Sequence, residues 1–73
     1  MTERRYVGLR SIWYIPQNGE RVYYRGEEGE VVDFVRYTSL FTGPNTAVVK
    51  IKMFGDDGFH EVLASSLAKE VIE

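Results

Sequence analysis

Apolar and polar positions alternate with a period of two through most of this chain. In residues 46–54, Ala47, Val49, Ile51 and Met53 share one parity and Lys50 and Lys52 the other, the pattern of a strand buried on one face. Val7, Leu9, Trp13 and Ile15 recur in the same way within residues 6–15, and Val22 and Tyr24 within 20–25. Between those segments lies Pro16-Gln17-Asn18-Gly19, and Asn-Gly supplies the two positive-φ residues of a type I′ turn, so 6–15 and 20–25 are expected to pair as a hairpin. Pro16 has no N–H to give a ladder, so the first strand must end there or run along an edge. Residues 30–36 read as a third strand, but Val31, Val32, Phe34 and Val35 occupy both parities, which suits a curled central strand. Residues 59–63 read as a fifth, reached through a turn at Gly55-Asp56-Asp57-Gly58.

Gly26-Glu27-Glu28-Gly29 is expected to turn the chain into the third strand, and residues 37–45 form the longest loop. The tail, 65–72, predicts a short helical turn or helix capped by Ser65 or Ser66, with Leu67 and Val71 on one face. Five short strands separated by turns predict a mainly β fold, and at this length a closed barrel, because closure removes exposed edges. One domain spanning 1–73 is expected, with 1–5 flexible.

Composition narrows the chemistry. Of 73 residues, 44% are hydrophobic and 14% aromatic, which is globular, and there is no cysteine. Disulfides, thiolate nucleophiles and cysteine–zinc sites are therefore excluded, and a reducing cytoplasm is the expected setting. No apolar run approaches the roughly 18 residues that span a bilayer, and none follows the basic amino end as a signal peptide would require. Neither a membrane role nor a signal peptide is expected.

The candidate active chemistries fail on inspection. A phosphate-cradling loop leads into a helix, whereas Gly26-Glu27-Glu28-Gly29 leads into a strand and carries two carboxylates. A calcium loop needs converging oxygens, and Glu27, Glu28 and Glu30 lack that ladder, while Asp56-Asp57 belong to a separate turn. His60, the one histidine, reads as a packed or surface residue on the parity of Val62, not as a base. No catalytic residue, cofactor, metal or small-molecule substrate is expected.

What remains is binding. Residues 1–25 carry five basic side chains, all arginine, against two glutamates; residues 26–73 carry four basic and nine acidic ones. The basic third also holds four of the five tyrosines, and Arg with Tyr is the composition of interface centres. The expected partner-binding residues are Arg4, Arg5, Tyr6, Arg10, Arg21, Tyr23 and Arg25, with Tyr37 and Phe41 from the long loop; Arg4, Arg5 and Arg10 would reach acidic groups on the partner. Leu40 and Phe41 either fold back to plug one barrel end or form part of that contact. Nucleic acid is the secondary expectation: Tyr can stack on bases and Arg can grip phosphate, but the pI of about 5.4 is far from the basic character such domains show. A rival protein-binding surface centres on Glu27, Glu28, Asp56 and Asp57.

Gly26-x-x-Gly29-x-Val31, following Val22 and preceding an apolar strand, resembles the latter half of a KOW motif, the pattern of SH3-like barrels in transcription elongation factors and ribosomal proteins. Ala47 to Lys52, the turn after it and Val62-Leu63 resemble the later strands, and Ser65-Ser66-Leu67 the short turn before a last strand, so the likeness covers roughly residues 19–67. It implies a five-stranded SH3-like (KOW-like) barrel. In function it implies docking on the transcription or translation machinery, RNA polymerase first; the small size of the chain, and no motif, adds the expectation of a non-catalytic, phage-type regulator. An RNA- or DNA-binding module and an accessory subunit of a larger complex are the alternatives.

Overall fold

The structure, a computed structural model, describes residues 4–55 and 58–72, and of Arg4 and Ile72 the backbone alone. Six strands form one antiparallel sheet: β1 (Arg4–Gly8), β2 (Arg21–Tyr24), β3 (Glu27–Tyr37), β4 (Ala47–Met53), β5 (Phe59–Leu63) and β6 (Leu67–Ile72). A four-residue helix, α1 (Leu9–Ile12), follows β1, and a 3-10 turn (Ala64–Ser66) precedes β6. The spatial order is β1-β6-β2-β3-β4-β5. The sheet curls into a half-barrel that is compatible with an SH3-like small barrel, and its two outermost strands are not paired to each other.

The mainly β class and the four strands from β2 to β5 lie where periodicity puts them. In β4 the buried parity is the expected one: Ala47, Val49 and Ile51 are fully buried and Met53 nearly so. With Leu9, Val22, Val31 and Leu67 most of these form the core on the concave face, and Tyr14, Tyr24 and Val62 pack against it. The mixed parity of β3 also has a cause. Its register against β4 shifts between Val31 and Asp33 and again between Phe34 and Arg36. Each irregularity adds a residue that breaks the alternation and bends the strand.

Three expectations are corrected. Residues 6–15 and 20–25 do not form a hairpin: β1 pairs with β6, with Tyr6 opposite Glu70 and Gly8 opposite Ala68, and β2 pairs with β3 and β6. At Asn18-Gly19 only Gly19 has positive φ, and Glu20 N–H donates to Gln17 O, so that segment is a single turn inside a loop. The two-residue turn with both φ positive is instead Arg25-Gly26, one position before the glycine-bounded stretch expected to bend; Glu27, Glu28 and Gly29 already belong to β3. Finally, the tail is not a helix. Its helical turn is the 3-10 turn Ala64–Ser66, and from Leu67 the chain is a sixth strand, so the barrel has six strands and stays open.

β1 begins at Arg4, inside the span expected to be flexible, and residues 1–3 lie outside the described residues. So do Asp56 and Asp57, and with them half of the expected β4–β5 turn and half of the rival acidic surface. No helix among the described residues is long and apolar enough to cross a membrane.

Candidate functional site

Residues opposite each other in an antiparallel pair share a face. One row on the convex face therefore reads Gly8, Ala68, Tyr23, Glu28 across β1, β6, β2 and β3. Gly8 has no side chain and Ala68 has a single methyl, so the sheet's outer surface is left unfilled at that point. The result is a cleft of about 470 Å³ lined by Tyr6, Gly8, Tyr23, Arg25, Gly26, Ser65, Ser66, Leu67 and Ala68. Tyr6 meets Tyr23 edge-on with ring centroids 4.7 Å apart, which makes one aromatic wall. Arg25, held at positive φ in the β2–β3 turn, lies with its guanidinium 5.3 Å from the Tyr24 ring centre.

The Tyr23 hydroxyl fixes that wall. It lies 2.9 Å from Glu70 Oε2 and 3.3 Å from Glu28 Oε1. One hydroxyl hydrogen serves one acceptor, so it donates to Glu70, the shorter contact, while Glu28 takes the Arg21 guanidinium at 3.1 Å. Loss of solvent around the phenol, then the Glu70 carboxylate and that of Glu28, push its pKa up to about 12. The folded chain thus holds this proton more tightly than an ordinary tyrosine does. Its contribution to stability is complete below pH 10 and is lost as the pH rises from 10 through about 12. Melting curves at about pH 9 and about pH 11.5 should show wild type losing more stability than Tyr23→Phe over that interval, and equal losses would remove Tyr23 as the cause.

A second polar cluster ties the loop after α1 to β6. Tyr14 Oη donates to Glu20 Oε1 at 2.6 Å, Lys69 Nζ lies 3.9 Å from the same oxygen and 4.6 Å from the Tyr14 ring centre. That hydrogen bond, with burial and the carboxylate charge, raises the Tyr14 pKa. The cluster anchors the fold and lies off the cleft.

Of the nine expected contact residues, the cleft gathers Tyr6, Tyr23 and Arg25. Arg21 lies on the same face as Tyr23, paired with Glu28 and with its guanidinium 5.7 Å from the Phe54 ring centre. Arg5 falls on the opposite face from Tyr6, so the arginine–tyrosine stripe is split by the pleat. Arg10 is exposed on α1, and of Arg4 only its place opposite Ile72 is described. Tyr37, expected in the long loop, is instead the last residue of β3, opposite Ala47 and with its ring 4.9 Å from that of Phe34, while Phe41 lies in the β3–β4 loop. Phe41 is 82% and Leu40 100% exposed, so neither plugs the barrel end; Leu9 of α1 does. His60 lies opposite Ile51 and lines a smaller hollow of about 300 Å³ with Tyr24, Arg25, Glu27 and Met53.

Sequence reasoning missed the floor and rim of the cleft: Gly8, Ser65, Ser66, Leu67 and Ala68. Their signal was weak, because Gly8 and Ala68 matter by being small and meet only when β6 pairs with β1. No family model matches this chain, and no curated protein or solved structure matches it.

Proposed function

We propose that this protein is a non-catalytic binding module that docks on a protein surface of the transcription machinery, RNA polymerase first, and modulates it by occupying that surface in the cytoplasm. The observation that carries the binding role is the convex-face cleft, an aromatic-walled recess with Arg25 and two serines around it. Such a recess accepts a projecting side chain of a partner, and Tyr and Arg are the residues on which interface energy concentrates. A protein fits better than a nucleic acid because Glu28, Glu30 and Glu70 share the face of Tyr23 and would repel a polyanion. The choice of machinery rests on the KOW-like resemblance of residues 19–67 alone; Gly26 is at the β2–β3 turn, and Gly29 and Val31 are on the buried parity of β3.

Gly8 provides the test. Its φ is −65° and nothing lies within 4 Å of a Cβ placed there, so a side chain fits the backbone and projects from the floor of the recess. Gly8→Leu should leave the melting temperature within a few degrees of wild type and lower affinity for purified RNA polymerase of the source organism by roughly 30-fold or more. Tyr6→Ala combined with Arg25→Glu should do the same. Binding is measured with and without nuclease. Unchanged affinity in both variants would exclude the cleft as the contact. Binding that disappears with nuclease would turn the reading to nucleic acid.

A further inference from the structure

Away from the cleft, the loop 38–46 and the residue that ends α1 carry a different surface. Leu40 is wholly exposed, Phe41 82% and Trp13 63%, and Phe34 and Tyr37 are each more than a third exposed. The loop beneath them is tightly held. Thr38 N–H and Oγ1 both donate to Thr46 O, at 2.7 and 3.2 Å, and Phe41 N–H donates to Ser39 Oγ at 3.2 Å. Thr46 Oγ1 lies 2.5 Å from Phe41 O, Pro44 is buried, and Ser65 N–H donates to Pro44 O at 3.1 Å. Trp13 covers Gly43 so closely that a Cβ there would meet its Cζ2 at 2.6 Å. A backbone fixed in this way presents Leu40 and Phe41 at little further entropic cost on association.

We infer that this surface is where a second copy of the chain docks, patch to patch about a twofold axis. In such an interface the same patch lies on both sides, residue i of one copy meeting j of the other and j meeting i, so a patch of one charge sign would repel itself. From 38 to 46 the chain has no ionisable side chain at all. At about 150–250 Å² for an aromatic side chain, the exposed parts of these five residues amount to something on the order of 600 Å². That is the upper end of what a monomer leaves bare, and close to the roughly 800 Å² that each partner gives a standard interface. A net charge of −2 per chain adds only weak repulsion. An anionic lipid surface or a nucleic acid would call for Lys or Arg beside the apolar tip, and the loop has neither.

Sedimentation velocity over a wide range of concentration tests the inference. Wild type should pass from one chain mass to two with a dissociation constant of about 1–100 µM, and L40D/F41D should raise that constant at least 100-fold, or about 2.7 kcal/mol. Trp13, the one tryptophan, reports independently: its emission should shift to the blue with concentration in wild type and not in the variant. Should L40D/F41D fail to fold by circular dichroism, L40S/F41S takes its place. A wild type that stays at one chain mass, association that survives the substitutions, or growth past two chains would each overturn the inference. So would flotation of a monomer with neutral phosphatidylcholine vesicles that depends on Leu40 and Phe41.

Discussion

Gly29→Ala should lower the melting temperature by about 10–15 °C, and Gly29→Val should fail to fold. Gly29 sits in β3 between Val22 of β2 and Met53 of β4. A Cβ there would lie 2.8 Å from Lys52 O and 3.0 Å from Met53 Sδ. Two effects oppose each other. Alanine restricts the unfolded chain more than glycine does and gains roughly 0.4–1 kcal/mol where its conformation fits. The contact with Lys52 O costs about 2–3 kcal/mol, because that oxygen belongs to the β4 backbone and can retreat only by disturbing the ladder opposite Glu30. The contact wins. Met53→Ala combined with Gly29→Ala separates the two obstacles: if the carbonyl decides, trimming the sulfur gives no recovery in thermal or urea melts. A Gly29→Ala variant as stable as wild type would mean that β3 and β4 are not this close.

The same substitution at Gly26 should cost only about 1–2 kcal/mol, and for another reason. Gly26 has φ +81° with nothing within 4 Å of a Cβ, so strain comes from backbone angle alone. Sequence reasoning reads Gly26-Glu27-Glu28-Gly29 as one bend, whose two glycines can serve backbone angle or close approach. The structure divides the two roles between them, angle at Gly26 and approach at Gly29. That division was not legible, because close approach depends on which strand lies alongside.

The remaining differences follow the same line between local and non-local information. Alternation in β4 was legible because one face is buried along its whole length, and a period of two is enough to say so. Periodicity within residues 6–15 was equally regular, yet Val7 and Leu9 are separated by the end of a strand and the start of α1. The Asn-Gly pair invited a turn that the chain makes at Arg25-Gly26, where arginine bears the less favourable φ of 52°. In each case a longer-range pairing decided, β1 with β6 across the whole length of the chain. The cleft inherits this. Tyr6 and Arg25 could be singled out as interface residue types, but their meeting across Gly8 and Ala68 is a product of that pairing.

Leu9→Ala should cost about 3–5 kcal/mol, a large share of the roughly 4–11 kcal/mol expected for a chain of this size. Leu9 is fully buried in the core although it stands on a helix of only four residues. Such a helix has no stability of its own. Its start has no side-chain cap, and Leu9 O accepts from both Trp13 and Tyr14 at its end. The burial of Leu9 is therefore what holds α1, which packs against the 3-10 turn, β1 and β6 and puts Leu9 into the core with Val22, Val49 and Leu67. Truncation leaves a cavity and at the same time frees Trp13 from its seat on Gly43. Unfolding followed by Trp13 fluorescence should consequently begin before unfolding followed by far-ultraviolet circular dichroism, whereas the two should coincide in wild type. Ile12→Ala, at the exposed end of the same helix, should change stability by about 0.5 kcal/mol or less. If Leu9→Ala were as mild as Ile12→Ala, residues 9–12 would not be the plug of this barrel, and the floor that Gly8 gives the cleft would lose its anchor.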